Sequence, residues 1–216
     1  MLTATQILDQ AMQAAGNTRI ATWALRQLNV ILRDLYRAHT WPFLVTLDTS
    51  LATVDAQAYT DYSALTDFWK PKIIQIYDGT NLHPITPRKG GWTAYLADTS
   101  RLTSSARPSK YVIDRANSRI YWADSIPNAA ETIYLAYQQE VADVGLSDTP
   151  TILSYVENGE RYLIFKLLMD IKIYLKETSE AAALGPLVKQ YEDALLSERR
   201  EDTDDTPQEH GNAAYA

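Results

Sequence analysis

The chain has 216 residues, 46% of them hydrophobic, a formal net charge of −7 and no cysteine. This length and apolar content suffice to bury a core without covalent staples, and the absence of cysteine excludes disulfide frameworks, thiolate catalysis and thiolate metal sites. The first ten residues lack the basic and apolar regions of a secretory signal, and no apolar run reaches membrane-spanning length, so we expect no membrane partner.

Most of the excess negative charge lies in residues 201–216. This segment has five acidic residues and no lysine or arginine: Glu201, Asp202, Asp204, Asp205 and Glu209. The rest of the chain is therefore close to neutral, which is not the pattern of an electrostatic clamp for DNA. Because the segment is also poor in apolar residues, we interpret residues 201–216 as an acidic flexible tail that cannot fold alone.

Two helices are predicted within residues 1–40. Thr3 and Gln6 have the spacing of a capping box, and the apolar residues after them recur at helical spacing until Gly16. A second and longer apolar stripe covers residues 20–35, which predicts a helix of about five turns. These two helices form the N-terminal part of a helical domain.

A change of pattern follows at Trp41-Pro42. Pro42 disfavours helical geometry at the residue before it, so the second helix should end near His39. A large indole at such a corner is well suited to burial, and we expect Trp41 to be largely buried where the helical part meets the next domain.

Residues 41–146 carry β-type patterning and are predicted to form an antiparallel β sandwich or barrel. Asp78-Gly79 lies between two apolar runs and indicates one hairpin, and the turn-rich residues 114–118 indicate a second. A further strand is expected at residues 133–137. The alternation of strands and turns is typical of a compact antiparallel domain.

Residues 147–200 are again predicted to be helical. Thr149 and Pro150 suit the cap and the first position of a helix, and a last helix from about Ser179 should be interrupted or kinked at Gly185-Pro186. The predicted fold class is α+β, with N- and C-terminal helices forming a helical bundle and the β domain inserted between them.

The search for catalytic or ligating residues is mostly negative. His39, His83 and His210 have no second histidine or cysteine at ligand spacing, so neither a metal nor a cofactor is expected. The basic residues before Gly90-Gly91 lack the ending of a P-loop, and no helix is expected after them. We interpret that stretch as a flexible basic loop.

Two alternatives arise in the β region. Asp61 and Asp67 are candidates for the paired carboxylates of a glycoside hydrolase, although such pairs arise by chance in a chain with 27 acidic residues. The aromatic residues of the region suggest a carbohydrate- or receptor-binding β module, but aromatics on strands are more often core or interface pairs. These are Tyr59, Tyr62, Phe68, Trp69, Trp92, Tyr95 and Trp122.

The order of the parts, together with short phrases, resembles a known family. The phrases are Trp41-Pro42-Phe43, residues 62–71 with Asp67-Phe68-Trp69 inside, residues 108–113, Ile126-Pro127, Tyr137-Gln138 and residues 190–195. Over nearly the whole chain, this layout resembles the head-to-tail adaptor proteins of tailed bacteriophages, which are head-completion or tubular tail proteins.

The resemblance implies a structural virion protein without enzymatic activity, made in the host cytoplasm and placed at the capsid–tail junction. It implies a ring, usually twelvefold, that contacts the portal protein above and a tail protein below. Genomic DNA would pass through the lumen, and near-neutral walls would avoid the phosphate contacts that make non-specific binding tight.

The tail supplies the candidate partner-binding residues. They are Glu201, Asp202, Asp204, Asp205 and Tyr215. An aromatic anchor after a charged spacer is suited to docking, because it allows a segment to order only when it meets its partner. We therefore expect the tail to order against the portal or a neighbouring subunit, with Tyr215 in a pocket and the carboxylates near basic side chains.

Overall fold

The computed structural model describes residues 1–98, 104–156 and 158–202. The fold is α+β, with five helices and a curled seven-stranded sheet that forms a half-barrel. The predicted α+β class is confirmed.

The described residues form five α-helices and seven strands. The helices are α1 (Ala4–Ala14), α2 (Ala21–Ala38), α3 (Gly91–Ala97), α4 (Gly159–Tyr174) and α5 (Thr178–Asp202). The strands are β1 (Val45–Asp48), β2 (Tyr59–Asp61), β3 (Phe68–Tyr77), β4 (Leu82–Pro87), β5 (Lys110–Asp114), β6 (Arg119–Trp122) and β7 (Thr132–Gln139).

The chain divides into two compact units, a helical unit of residues 1–42 with 141–216 and a β unit of residues 43–140. The limits of the β unit lie inside the 41–146 range expected from the sequence. Residues 141–146 belong to the helical unit because the Asn29 side chain makes two hydrogen bonds to the backbone of Val144, at 2.8 and 3.1 Å.

The N-terminal helices follow the sequence pattern. Thr3 caps α1 through both hydrogen bonds of a capping box with Gln6, as predicted. Helix α2 ends at Ala38 and His39 is extended, which agrees with the effect expected of Pro42.

The predicted start of the C-terminal helices is wrong. Pro150 precedes only a short 3-10 turn, Thr151–Ser154, and α4 begins at Gly159. The backbone N–H of Ile152 donates to the Tyr36 hydroxyl at 3.1 Å, which attaches the start of this turn to α2. Burial raises the pKa of Tyr36 to about 12.

Of the predicted interruption or kink at Gly185-Pro186, the interruption is wrong, because α5 runs through both residues, whereas the kink stays a prediction. A proline inside a helix removes one backbone hydrogen bond and crowds the preceding turn. Packing of α5 on α4, which includes stacked rings of Phe165 and Tyr191 at 5.3 Å, offsets this cost.

Helix α4 also contacts α1 and α2. The bundle arrangement of the helices stays a prediction.

The strands form one sheet in the order β1-β7-β3-β4-β5-β6-β2. Both predicted hairpins are confirmed, as β3–β4 and β5–β6. The expected antiparallel sandwich or barrel is confirmed in part: the curled sheet is a half-barrel whose strand pairs are antiparallel except for β4 and β5, which pair in parallel. Parallel neighbours need a crossover connection, and α3 lies in the chain between these two strands.

The core of the β unit lies on one face of this sheet, called here the inner face. Its largest fully buried side chains come from β3, β6 and β7: Ile74, Ile76, Ile120, Trp122, Ile133 and Leu135. The opposite, outer face is covered by α3 at β5, where Tyr95 packs with Val112 and Ala123.

The predicted burial of Trp41 is confirmed, since this side chain is fully buried and its indole N–H donates to the Leu35 carbonyl oxygen at 3.1 Å. We expect Trp41→Ala to lower the free energy of unfolding by about 3 to 5 kcal/mol, because it leaves a large cavity. Chemical denaturation monitored by circular dichroism measures this. Trp41→Phe, which keeps most of the apolar volume, is the control and should cost less. An unchanged midpoint for Trp41→Ala would contradict the role given to this residue.

Candidate functional site

The predicted tail residues lie at or beyond the end of the described chain. Glu201 and Asp202 belong to the last turn of α5, so the helix continues into the segment interpreted as a tail. Asp204, Asp205 and Tyr215 lie outside the described residues. The docking role of all five residues stays a prediction.

Asp61 is not placed to act as a catalytic acid. It lies on β2 and accepts a hydrogen bond from the backbone N–H of Ser63 at 2.7 Å. Hydrogen bonds from the Ser63 side chain and backbone hold the pKa of Asp61 below its usual value. A general acid needs the opposite shift, because it must carry a proton near neutral pH.

Asp67 serves as a latch between two strands. One carboxylate oxygen accepts from the Tyr137 hydroxyl at 2.8 Å, and the other accepts from the Gln139 side-chain amide at 2.5 Å. The Asp67 carbonyl oxygen also accepts from the backbone N–H of Glu140 at 2.6 Å. These bonds fasten the start of β3 to the end of β7, so the Asp67 carboxylate has a structural role in the sheet.

A groove of about 270 Å³ lies beside this latch in the β unit. It is lined by Tyr62, Ser63, Leu65, Thr66, Phe68, Trp69, Arg115, Ser118 and Glu140. The Phe68 ring lies between those of Tyr62 and Tyr137, at 4.4 and 5.3 Å, and the Arg115 guanidinium lies 4.6 Å from the Trp69 ring centre.

This arrangement gives the carbohydrate-binding alternative little support. A sugar needs an open aromatic face, whereas Arg115 lies over one face of the Trp69 ring. Of the other aromatic candidates, Tyr62, Tyr95 and Trp122 are buried. They are part of hydrophobic clusters of the β unit, as the common structural interpretation of strand aromatics expects.

The stretch around Gly90-Gly91 differs from the expected flexible basic loop. A helix does follow, since α3 begins at Gly91, and Gly90 takes the left-handed conformation (φ 84°) at its cap. Arg88 binds partners within the β unit. Its guanidinium pairs with the Asp98 carboxylate at 2.7 Å and donates a hydrogen bond to the Ala123 carbonyl oxygen. Its guanidinium thus stabilises the α3 region.

The two histidines among the described residues, His39 and His83, contact side chains of their own unit. The His39 ring meets Trp41 edge-on at 6.0 Å, and His83 Nε2 lies 2.7 Å from Asp78 Oδ2. His210 lies outside the described residues. Within residues 1–98, 104–156 and 158–202, no group of three or more histidine or acidic residues is arranged to hold a metal ion.

A charged cluster that the sequence does not reveal joins three separate segments of the β unit. Arg107, before β5, donates to both carboxylate oxygens of Glu131, at 2.6 and 2.9 Å. It also donates to Asp78 in the β3–β4 turn at 3.1 Å, and its Nη1 lies 3.0 Å from His83 Nε2. Because the partners are far apart in sequence, no local spacing could have predicted the cluster.

A second surface missed by sequence reasoning lies on the outer face. Leu47 on β1 and Ile73 on β3 both stand opposite Ala136 of β7, so the three side chains form one line across the sheet. We call this line the outer row. Leu47 and Ile73 are 60% and 56% exposed. Adjacent exposed apolar residues of this kind mark interaction surfaces more often than isolated ones do.

In the part of the chain that the structure describes, the candidate carboxylates Asp61 and Asp67 serve a turn and a latch, and the outer row leaves apolar side chains exposed. A sequence model of the SU10 adaptor protein family matches residues 2–211, and the chain therefore belongs to this family of phage structural adaptors. A search of curated proteins found no match. No helix of the described residues is both long and apolar enough to cross a membrane.

We expect Asp67→Asn to lower the free energy of unfolding by about 1 to 3 kcal/mol, because an amide cannot accept both hydrogen bonds of the latch. Thermal melts measure this, and Asp61→Asn on the exposed end of β2 is the control with a smaller effect. Hydrolase screens should show no turnover for the wild type or either variant. A turnover abolished by one substitution would instead support the hydrolase alternative.

Asp78 should make the stability of the β unit sensitive to acid. Hydrogen bonds from the Asn81 backbone, the His83 side chain and the Thr80 backbone lower the pKa of Asp78 below its usual value of 3.8. The stabilisation is therefore present above that value and is lost as the pH falls towards the lowered pKa.

The melting temperature of Asp78→Asn should accordingly lie below that of the wild type at pH 7, and the difference should shrink below about pH 4. Asp55→Asn, at an exposed carboxyl of the same unit, controls for loss of a charge. A difference that stays constant from pH 7 to pH 3 would show that the Asp78 charge contributes nothing.

Proposed function

We propose that this protein is a head-to-tail adaptor that forms a twelvefold ring below the portal and joins the capsid vertex to the tail. The match of residues 2–211 to an adaptor family carries this proposal. The ring lies at the capsid–tail junction of the virion and extends the channel through which genomic DNA leaves. Its partners are the portal protein, a tail protein below and further copies of itself.

The exposed apolar surfaces of the β unit support a role in assembly. Monomeric proteins rarely keep adjacent large apolar side chains open to water, whereas subunits of an assembly bury them against neighbours. The outer row of Leu47, Ala136 and Ile73 is such a surface.

The pairing of charges supports a channel that lets DNA slide. Several cations in the described residues are held by carboxylates, among them Arg88 by Asp98, Arg107 by Glu131 and Lys172 by Glu177, at 2.6 to 2.7 Å. Cations engaged in this way are less available for phosphates. Since each phosphate contact strengthens non-specific binding, a wall of low free positive charge keeps the DNA mobile.

The acidic tail is the proposed docking element. Helix α5 carries the chain as far as Asp202, after which come Asp204, Asp205 and Tyr215. The tail orders against the portal or a neighbouring subunit, with Tyr215 as an apolar anchor and the carboxylates facing basic side chains. A segment that orders on binding has less affinity per contact but can tie subunits together.

Docking to purified portal rings tests the function. The free chain should be a monomer or small oligomer, and it should sediment with the portal as a ring, because a preformed symmetric template raises the local concentration of subunits. Failure of the full chain to bind portal at low and moderate salt would contradict the adaptor role.

Deletion of residues 203–216 should weaken portal docking and leave the melting temperature of the free protein nearly unchanged. Tyr215→Ala should reproduce part of the loss, because one aromatic anchor can supply much of a docking energy. Asn212→Ala is the matched control in the same segment. If the shortened chain docks as tightly as the full chain in the same salt, the tail does not take part in docking.

A further inference from the structure

A groove of about 190 Å³ lies in the helical unit and is lined by side chains of α2, α4 and α5. Val30 and Leu35 of α2 give it an apolar wall, and charged side chains come from all three helices. We call it the helical groove. Pockets that hold drug-sized molecules begin at roughly 300 Å³, so this groove suits a group of the size of one side chain.

Carboxylates outnumber the lysine in the helical groove. Asp34, Asp170 and Glu192 line it together with Lys166. Lys166 pairs with Asp170 at 3.0 Å, and the other oxygen of Asp170 accepts from the Gln27 side-chain amide at 2.8 Å. Asp170 is thus satisfied by its neighbours. The charges of the other two carboxylates are left for other partners.

Asp34 and Glu192 are available to a further cation. The Asp34 carboxylate is exposed and makes no hydrogen bond or ion pair with another described residue. Glu192 Oε2 lies 3.6 Å from Lys189 Nζ, but that ammonium is closer to Asp193, at 2.9 Å. The helical groove therefore carries an excess of negative charge.

The Tyr162 hydroxyl also belongs to the helical groove and has no hydrogen-bond partner among the described residues. The Tyr162 side chain is only 6% exposed. Burial, followed by the charges of Glu192, Asp170 and Asp34, raises the pKa of Tyr162 to about 12, so the hydroxyl keeps its proton at neutral pH. Because polar groups in such buried positions normally have a partner, the open hydroxyl indicates a ligand.

The acceptors of the helical groove match a guanidinium better than a metal ion. Within the described parts of the chain, no group of three or more histidine or acidic residues is arranged to hold a metal. A guanidinium carries several N–H donors in a fixed plane, so it can reach acceptors that are set apart from each other. The apolar wall of Val30 and Leu35 can cover the aliphatic stem that carries such a group.

We propose that the helical groove binds the guanidinium of an arginine side chain presented by a partner protein. Its N–H groups donate to the carboxylates of Asp34 and Glu192 and to the hydroxyl oxygen of Tyr162. Hydrogen bonds between charged groups are stronger than those between neutral groups, which suits a site of this small size. The site does not depend on the proposed function, since it rests on side chains of the helical unit alone.

Titration of the full-length, isotope-labelled chain with short capped peptides tests the site. The Gln27 side-chain amide lines the helical groove and serves as the NMR reporter. A capped Ala-Arg-Ala peptide should shift this signal in a saturable way. Half-saturation should fall at millimolar concentration, because a single side chain supplies the binding energy. Absence of a saturable shift would overturn the proposal.

Three further ligands show which part of the peptide is recognised. The same peptide with citrulline, which has the shape of arginine without its charge, should give no saturable shift. The lysine peptide should bind several-fold more weakly, because a compact ammonium cannot reach all three acceptors at once. Free methylguanidinium, which lacks the aliphatic stem, should also bind more weakly. Equal binding of any of the three would overturn the assignment to an arginine side chain.

Two variants locate the binding. Tyr162→Phe should leave the melting temperature unchanged, because the hydroxyl has no partner to lose, and should weaken binding of the arginine peptide about tenfold. Glu192→Gln should weaken it by a similar factor. Asp9→Asn, at an exposed carboxylate of α1 that does not line the helical groove, is the matched control and should bind like the wild type. Wild-type affinity in both Tyr162→Phe and Glu192→Gln would overturn the proposal.

Discussion

The longest ladder of the sheet joins β3 to β7, and every other strand of the β unit is placed through it. Strand β1 pairs with β7, β4 pairs with β3, and the remaining strands follow from β4. Polar latches close both ends of this ladder: Asp67 holds Tyr137 and Gln139 at one end, and the Arg107 cluster lies at the other. The apolar core lies between the two latches, and because the hydrogen bonds of the latches are directional, they also favour the observed register.

The two hairpins and the N-terminal helices are predictable because their causes are local. Asp78-Gly79 and the capping pair Thr3 and Gln6 act over a few residues, and the sequence alone contains that information. The break at Trp41-Pro42 is local in the same way. Each of these features needs nothing from the rest of the fold.

The errors arise where distant contacts override local preference. Pro186 stays inside α5, which packs on α4, and Pro150 leads only into a 3-10 turn, which is bonded to Tyr36 of α2. The parallel pairing of β4 and β5 and the Arg107 cluster join segments more than 20 residues apart. The orientation of β1, and with it the outer row, follows from its pairing with β7, which its four residues do not specify.

The strands at the two ends of the sheet order are short, with four residues in β1 and three in β2. An end strand presents backbone groups that can pair with any passing extended chain, and the number of such groups sets how strongly foreign strands attach. In the proposed ring, copies of the chain lie side by side at very high local concentration, where uncontrolled strand addition would lead to fibres. Short edges leave few pairing groups for that reaction.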